Sequence, residues 1–131
     1  MYKRAFTPER ITELKQNEIF VFGSNLAGFH GGGAANVAME RFGAIWGQGV
    51  GRQGQSYAIP TMHGGPETIR PYVSGFIDYA SNHPDDTFYV TRIGCGIAGF
   101  TPDQIAPLFR DALEVENILL PEDFVKIIDP A

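Results

Sequence analysis

Two glycine runs hold the chemistry of this chain: Gly31, Gly32, Gly33 shortly after one apolar stretch, and Gly94, Cys95, Gly96, Ile97, Ala98, Gly99 directly after another. Glycine lets a loop bring main-chain amides up to a ligand with no side chain in the way, and a helix that follows adds its own free amides, so such loops bind anions. Each run is followed by a helix-like segment, and together they read as a phosphate clamp. His30 stands in the first loop, where a histidine can act as general acid or base, although backbone or solvent bonding is the commoner fate of a loop histidine. His63, in the turn after Ser56 to Pro60, is a second candidate for the same crevice. Cys95 could serve as a nucleophile if its pKa were lowered, but no base accompanies it in the sequence, and a small residue fitting a crowded turn explains it as well. The paired carboxylates Asp85 with Asp86 and Glu122 with Asp123 read as solvated surface. No residues have metal-ligand spacing, and neither a metal nor a cofactor is expected.

The elements that must hold these loops follow from the pattern of apolar residues. Glu18 to Gly23 reads as a strand covered on both faces, because Ile19 to Phe22 are continuously apolar. Ala34 to Phe42 reads as a helix closed by a left-handed Gly43. The glycine-rich stretch Ala44 to Gln55 predicts a long surface loop, followed by a short strand at Ser56 to Pro60. Ile69, Tyr72, Val73, Phe76, Ile77 and Ala80 recur at three and four and predict an amphipathic helix, with Pro71 in its first turn. Thr87 to Ile93 reads as a strand, and Thr101, Pro102 and Gln104 as the capped start of a helix that Pro107 kinks or shortens. An opening helix over Glu9 to Lys15 and a last strand at Phe124 to Ile128 complete the reading. Alternating strands and helices predict one domain over residues 1 to 131, an α/β fold with a mostly parallel or mixed sheet.

Gly94 to Gly99 spells GxGxxG, but Thr101 and Pro102 start the helix after the third glycine, and 32 residues beyond it leave no room for a second nucleotide-binding half. A Rossmann dehydrogenase is therefore disfavoured, and the lack of GK[ST] after any glycine run removes a Walker loop. The strand Glu18 to Phe22, Asn25, Leu26, Gly31 to Gly33 and Ile93 to Phe100 resemble, in order, the macro domain. The resemblance implies a three-layer α/β/α sandwich that binds ADP-ribose, with Asn25 beside the distal ribose and Gly94 to Phe100 around the diphosphate. Ligand-binding candidates are accordingly Ser24, Asn25, Gly31, Gly32, Gly33, Gly94, Cys95, Gly96, Ile97, Ala98, Gly99 and Phe100. Phe100 or Trp46 offers a wall for a base, and core packing is the competing role for Phe100. Hydrolytic members of the family carry an acid beside one glycine run, where this chain has Ala34, Ala35, Asn36 and Ala98. Hydrolysis of an ADP-ribose derivative therefore rests on His30 or on a water held by Asn25.

With 131 residues, 44% hydrophobic, the chain suffices for one core. A net charge of −5 argues against a long phosphate backbone as partner, while fixed amide dipoles still suit a small phosphorylated ligand or an ADP-ribosylated macromolecule. The lone cysteine excludes an internal disulfide, and no stretch has the length of a membrane helix, so no membrane partner is expected and a cytoplasmic location is. The alternative to a nucleotide-binding role is a non-catalytic interaction module whose glycine loops are structural and whose acidic surface meets a protein.

Overall fold

The computed structural model describes residues 5–130. The chain runs β1 (Glu18–Ser24), α1 (Gly33–Arg41), β2 (Gly51–Gln53), β3 (Ser56–Pro60), α2 (Pro66–Ser81), β4 (Thr87–Val90), α3 (Pro102–Ile105), a 3₁₀ helix (Ala106–Glu114), β5 (Ile118–Leu119) and α4 (Glu122–Ile128). It is a mixed α/β fold around one five-stranded sheet of order β2-β3-β1-β4-β5. β1 lies between β3 and β4 and is parallel to both, β5 is parallel to β4, and only the edge strand β2 runs antiparallel.

Alternation along β1 divides the core, since successive side chains of a strand face opposite ways. Ile19 and Val21 join Ile59, Phe88 and Val90 in the larger cluster with Ile69, Val73 and Phe76 of α2, Phe109 of the 3₁₀ helix and Phe124 of α4. Phe20 and Phe22 join Ala35 and Ala38 of α1, Phe42 and Ala58 in the smaller one. Each fully buried Phe, among them Phe22, Phe76 and Phe88, contributes roughly 2 to 3 kcal/mol of transfer free energy, so these two clusters supply the main driving force.

Several predicted elements change. Residues 9 to 15 form no helix: Phe6 bridges Leu120, the Thr7 amide donates to the Leu120 carbonyl at 2.9 Å, and Ile11 and Leu14 rest on the smaller cluster. An isolated helix of seven residues is unstable in water, and the apolar contacts available to an irregular strap prevail. Phe124 to Ile128 lies in α4 and is not a strand; Phe124 and Ile128, four apart, are its buried residues, a helical spacing. The last strand is instead Ile118–Leu119. β4 stops at Val90, three residues short of expectation. The stretch 44 to 55 includes β2, whose residues pair with Ser56 to Ala58 of β3. α2 begins earlier, at Pro66, which leaves Pro71 in its second turn, where it removes one ladder bond. Pro107 coincides with the change from α3 to the 3₁₀ helix, and Gly43 closes α1 at φ +80°, both as the residue types predict.

Candidate functional site

Chain order and sheet order disagree at the centre of the sheet. The chain goes from β1 to β3 on one side, and then to β4 on the other. Such a switch point opens a crevice at the carboxyl ends of the two central strands. The loop after β1 carries Gly31 to Gly33 and the loop after β4 carries Gly94 to Gly99, so both emerge at that crevice. They line a single cavity of about 280 Å³. A Cβ placed on Gly32 would lie 3.1 Å from the Ile97 Cδ1, and one on Gly33 3.7 Å from it; Ile97 lies across the first loop.

The cavity is rich in unused donors. Gly32 is the N-cap of α1, whose first turn holds no acid, and the opening amides of a helix have no partner within it. In the second loop the amides of Cys95, Gly99 and Phe100 bond to the carbonyls of Arg92, Gly96 and Gly94, whereas those of Gly96, Ile97 and Ala98 donate to nothing among the described residues. Amides arranged this way form an anion-binding concavity. Gly94 must be glycine on two counts: its φ is +75°, and a Cβ would lie 3.1 Å from Ile105 and 3.3 Å from Phe100.

Of the predicted residues, Ser24, Asn25, Gly31, Gly32, Gly33, Gly94, Gly96, Ile97 and Ala98 line the cavity, and Cys95, Gly99, Phe100 and His30 do not. Phe100 and Cys95 pack against the larger cluster. Burial first, and then Asp123, push the Cys95 thiol up, against a smaller opposing effect of Arg92; this is the reverse of an activated nucleophile. His30 is fully buried, with its ring edge-on to Phe22 at 5.3 Å. Its Nε2 lies 3.0 Å from the Gln48 carbonyl and must therefore be the protonated nitrogen, while Nδ1 has no partner among the described residues. A general acid–base role on a ligand in the cavity is thus out of its reach. His63 also lies outside the cavity, bonded to the Thr68 carbonyl, although β3 is parallel to β1 and its neighbours Thr61 and Met62 do line it. Asn25 is turned to its own loop: Oδ1 accepts from the Phe29 amide at 2.8 Å and Nδ2 donates to the Phe29 carbonyl at 3.1 Å. Each half of the amide keeps one further bonding position.

The stretch Gly47 to Gly54 has a definite place: it buttresses the first glycine loop. The Ser24 hydroxyl donates to the Gly49 carbonyl at 2.5 Å, His30 to that of Gln48, and the Gly47 amide to that of Gly28 at 2.9 Å. Gln53 holds the buttress from behind, accepting from the Ile45 amide and donating to Gln48.

Arg92, absent from the predicted set, is the only cationic residue lining the cavity among the described residues. It is held by Asp123 at 3.0 Å and Glu9 at 3.7 Å, and Asp123 foremost pushes its pKa up. Its position just past β4 was the available signal, because ligand crevices form at the carboxyl ends of strands. A second cavity of about 540 Å³ adjoins the first, sharing Ala34, Thr91 and Arg92, and is walled by the strap Phe6 to Thr12, by Val37 and Arg41 of α1, and by Glu122. The Thr7 hydroxyl, buried and without a partner among the described residues, belongs to this wall. Reading residues 9 to 15 as a helix hides this cavity. No group of three or more His, Cys, Asp or Glu able to hold a metal occurs among the described residues, and no helix there is long and apolar enough to cross a membrane. Comparison with protein-family models, with curated proteins and with solved structures found no match to the chain.

Proposed function

We propose that this protein binds ADP-ribose or a closely related nucleotide diphosphate sugar, in a macro-like fold whose sheet is layered between α1 on one side and α2, the 3₁₀ helix and α4 on the other. One observation carries the reading: two separate glycine loops, at the carboxyl ends of adjacent parallel strands, line one cavity and carry main-chain amides without partners among the described residues. A diphosphate is the small-molecule group that matches several convergent neutral donors with one cation nearby. The smaller cavity, at about 280 Å³, is below the range of roughly 300 to 1,000 Å³ that encloses a drug-sized ligand. The guest therefore extends through the shared Ala34, Thr91 and Arg92 edge into the larger cavity, where its nucleoside meets the strap.

Binding is favoured over hydrolysis. Among the described residues no Asp, Glu or His lines the smaller cavity, and attack of water on a sugar carbon or ester needs a base or an acid within hydrogen-bond reach. Titration calorimetry with ADP-ribose tests the reading, with Gly96→Glu as the variant. A Cβ at Gly96 meets nothing within 4 Å and its φ is not positive, so the variant keeps its fold while placing a carboxylate where the diphosphate sits. Saturable heat that disappears in the variant is expected. No heat from the parent protein, or unchanged affinity in a folded variant, refutes the proposal. Release of free ADP-ribose from an ADP-ribosylated protein would reinstate hydrolysis.

A further inference from the structure

Beside the glycine loops, Phe29 and Trp46 stack at 5.4 Å between ring centroids and 20° between planes. Phe29 is 59% exposed and Trp46 56%. Phe29 lines the smaller cavity and takes no part in the larger one. We propose that this ring pair is a stacking surface for a second planar heterocycle, joined to the far sugar of the guest. The inference rests on the ADP-ribose reading: a guest whose nucleoside occupies the larger cavity leaves Phe29 to whatever its other sugar carries.

Three features fit a ring. The pair is held in place before anything binds, since Asn25 bonds both the amide and the carbonyl of Phe29, and the Gly47 amide, next to Trp46, bonds the Gly28 carbonyl. The main chain carrying the two rings is thus tied in the free protein, which lowers the cost of ordering on binding. The surroundings are apolar, with Met62 at 51% and Ile97 at 70% exposure also lining the cavity. Exposed apolar side chains at a cavity suit the face of a ring. Finally, neither 24–33 nor 42–51 contains Asp, Glu, Lys or Arg, so recognition there is by ring face, which suits any flat base.

Two sources offer that chemistry: the nicotinamide of a free dinucleotide, or a base bearing ADP-ribose within a nucleic acid. Trp46 is the only tryptophan, so its fluorescence reports the surface directly. The test compares ADP-ribose, NAD⁺ and an oligonucleotide carrying ADP-ribose on one base, by calorimetry and by Trp46 emission. The expected result is that a ring-bearing ligand binds roughly three- to tenfold tighter than ADP-ribose and quenches Trp46. Trp46→Ala, at an exposed side chain that lines neither cavity, should erase that advantage and leave ADP-ribose affinity unchanged, and Phe29→Ala should erase the advantage as well. The tighter of the two ring-bearing ligands names the source. If ADP-ribose binds and neither ring-bearing ligand binds tighter, the stacking surface is refuted and the ADP-ribose reading stands. Emission that follows protein concentration and ignores ligand makes the patch a self-association surface, which also refutes it. Absence of binding by all three ligands overturns both proposals together.

Discussion

Adding one methyl group at Gly49, which does not itself line the cavity, should unseat the first glycine loop. A Cβ there would fall 2.6 Å from the Leu26 carbonyl oxygen and 2.8 Å from its carbon, and closer still to the Asn25 oxygen. All three atoms are main chain and cannot rotate away, so the two loops must separate. Overpacking of this kind costs about 1 to 3 kcal/mol. Separation also strains the bonds from Ser24 to Gly49 and from Gly47 to Gly28, each with a net worth of about 1 kcal/mol. A loss of roughly 3 kcal/mol in Gly49→Ala corresponds to a fall in Tm of about 10 °C for a domain of this size. Gly75→Ala is the control: Gly75 lies within α2 and a Cβ there meets nothing, so helix propensity raises stability by about 0.5 to 1 kcal/mol. Differential scanning calorimetry on both variants, followed by ADP-ribose titration of Gly49→Ala, makes the comparison. A Gly49→Ala melting point within a degree or two of the parent would show that the 47 to 54 stretch does not buttress the loop, and the account of its role would fall.

Replacing Tyr89 by Phe alters the pH dependence of stability. The Tyr89 hydroxyl donates to Glu18 at 2.7 Å, which pushes its pKa up to about 12, while the Lys15 amide first and Tyr89 second hold the Glu18 carboxyl below its ordinary value. A raised tyrosine favours the folded state while it is protonated, so that stabilisation is present below about pH 10 and is lost toward pH 12. The lowered Glu18 contributes above its unfolded pKa and loses its contribution as pH falls through the folded value. Urea midpoints of Tyr89→Phe should therefore decline less than the parent's between pH 10 and 12, with the buried Tyr57, also raised, accounting for the remaining decline; identical slopes would refute the assignment. Cys95→Ala should keep its ADP-ribose affinity, and the parent thiol should react with iodoacetamide at pH 8 more slowly than in the urea-unfolded chain, because burial disfavours its thiolate. Faster alkylation in the folded protein would restore Cys95 as a reactive group. Pro71→Ala returns an amide to the second turn of α2 at an exposed position, with an expected gain of about 1 to 2 kcal/mol after the entropy that proline removes from the unfolded chain is offset. Thermal melting checks this, and a lower Tm would contradict it.

Local pattern was enough for most of the frame. The apolar run of β1, the three-and-four spacing in α2 and the cap Thr101-Pro102 followed by Gln104, whose side chain accepts from the Thr101 amide, each carry their instruction within a few residues. Failures lie where an element is short and its apolar residues fit two periods. Phe124 and Ile128 with Val125 and Ile127 between them read equally as strand or helix, and the available surface against the 3₁₀ helix decided for helix. The strap from Phe6 to Leu14 contains helix-forming residues, yet its main-chain bond goes to Leu120, more than a hundred residues away, and no local rule reaches that far.

What the amino-acid order alone determined is that two stretches of bare main chain would each stand after a strand, since glycine and apolar runs act through their immediate neighbours. Whether those stretches meet depends on which strands pair. The placement of β4 against β1, with β3 on the other flank, is a register decided by long-range packing of both sheet faces. The same packing turned His30 into the interior, brought Arg92 to the cavity and left Phe29 and Trp46 at its side. Side chains a few residues apart in a loop point in unrelated directions, so only the folded chain assigns each to the ligand, the core or the solvent.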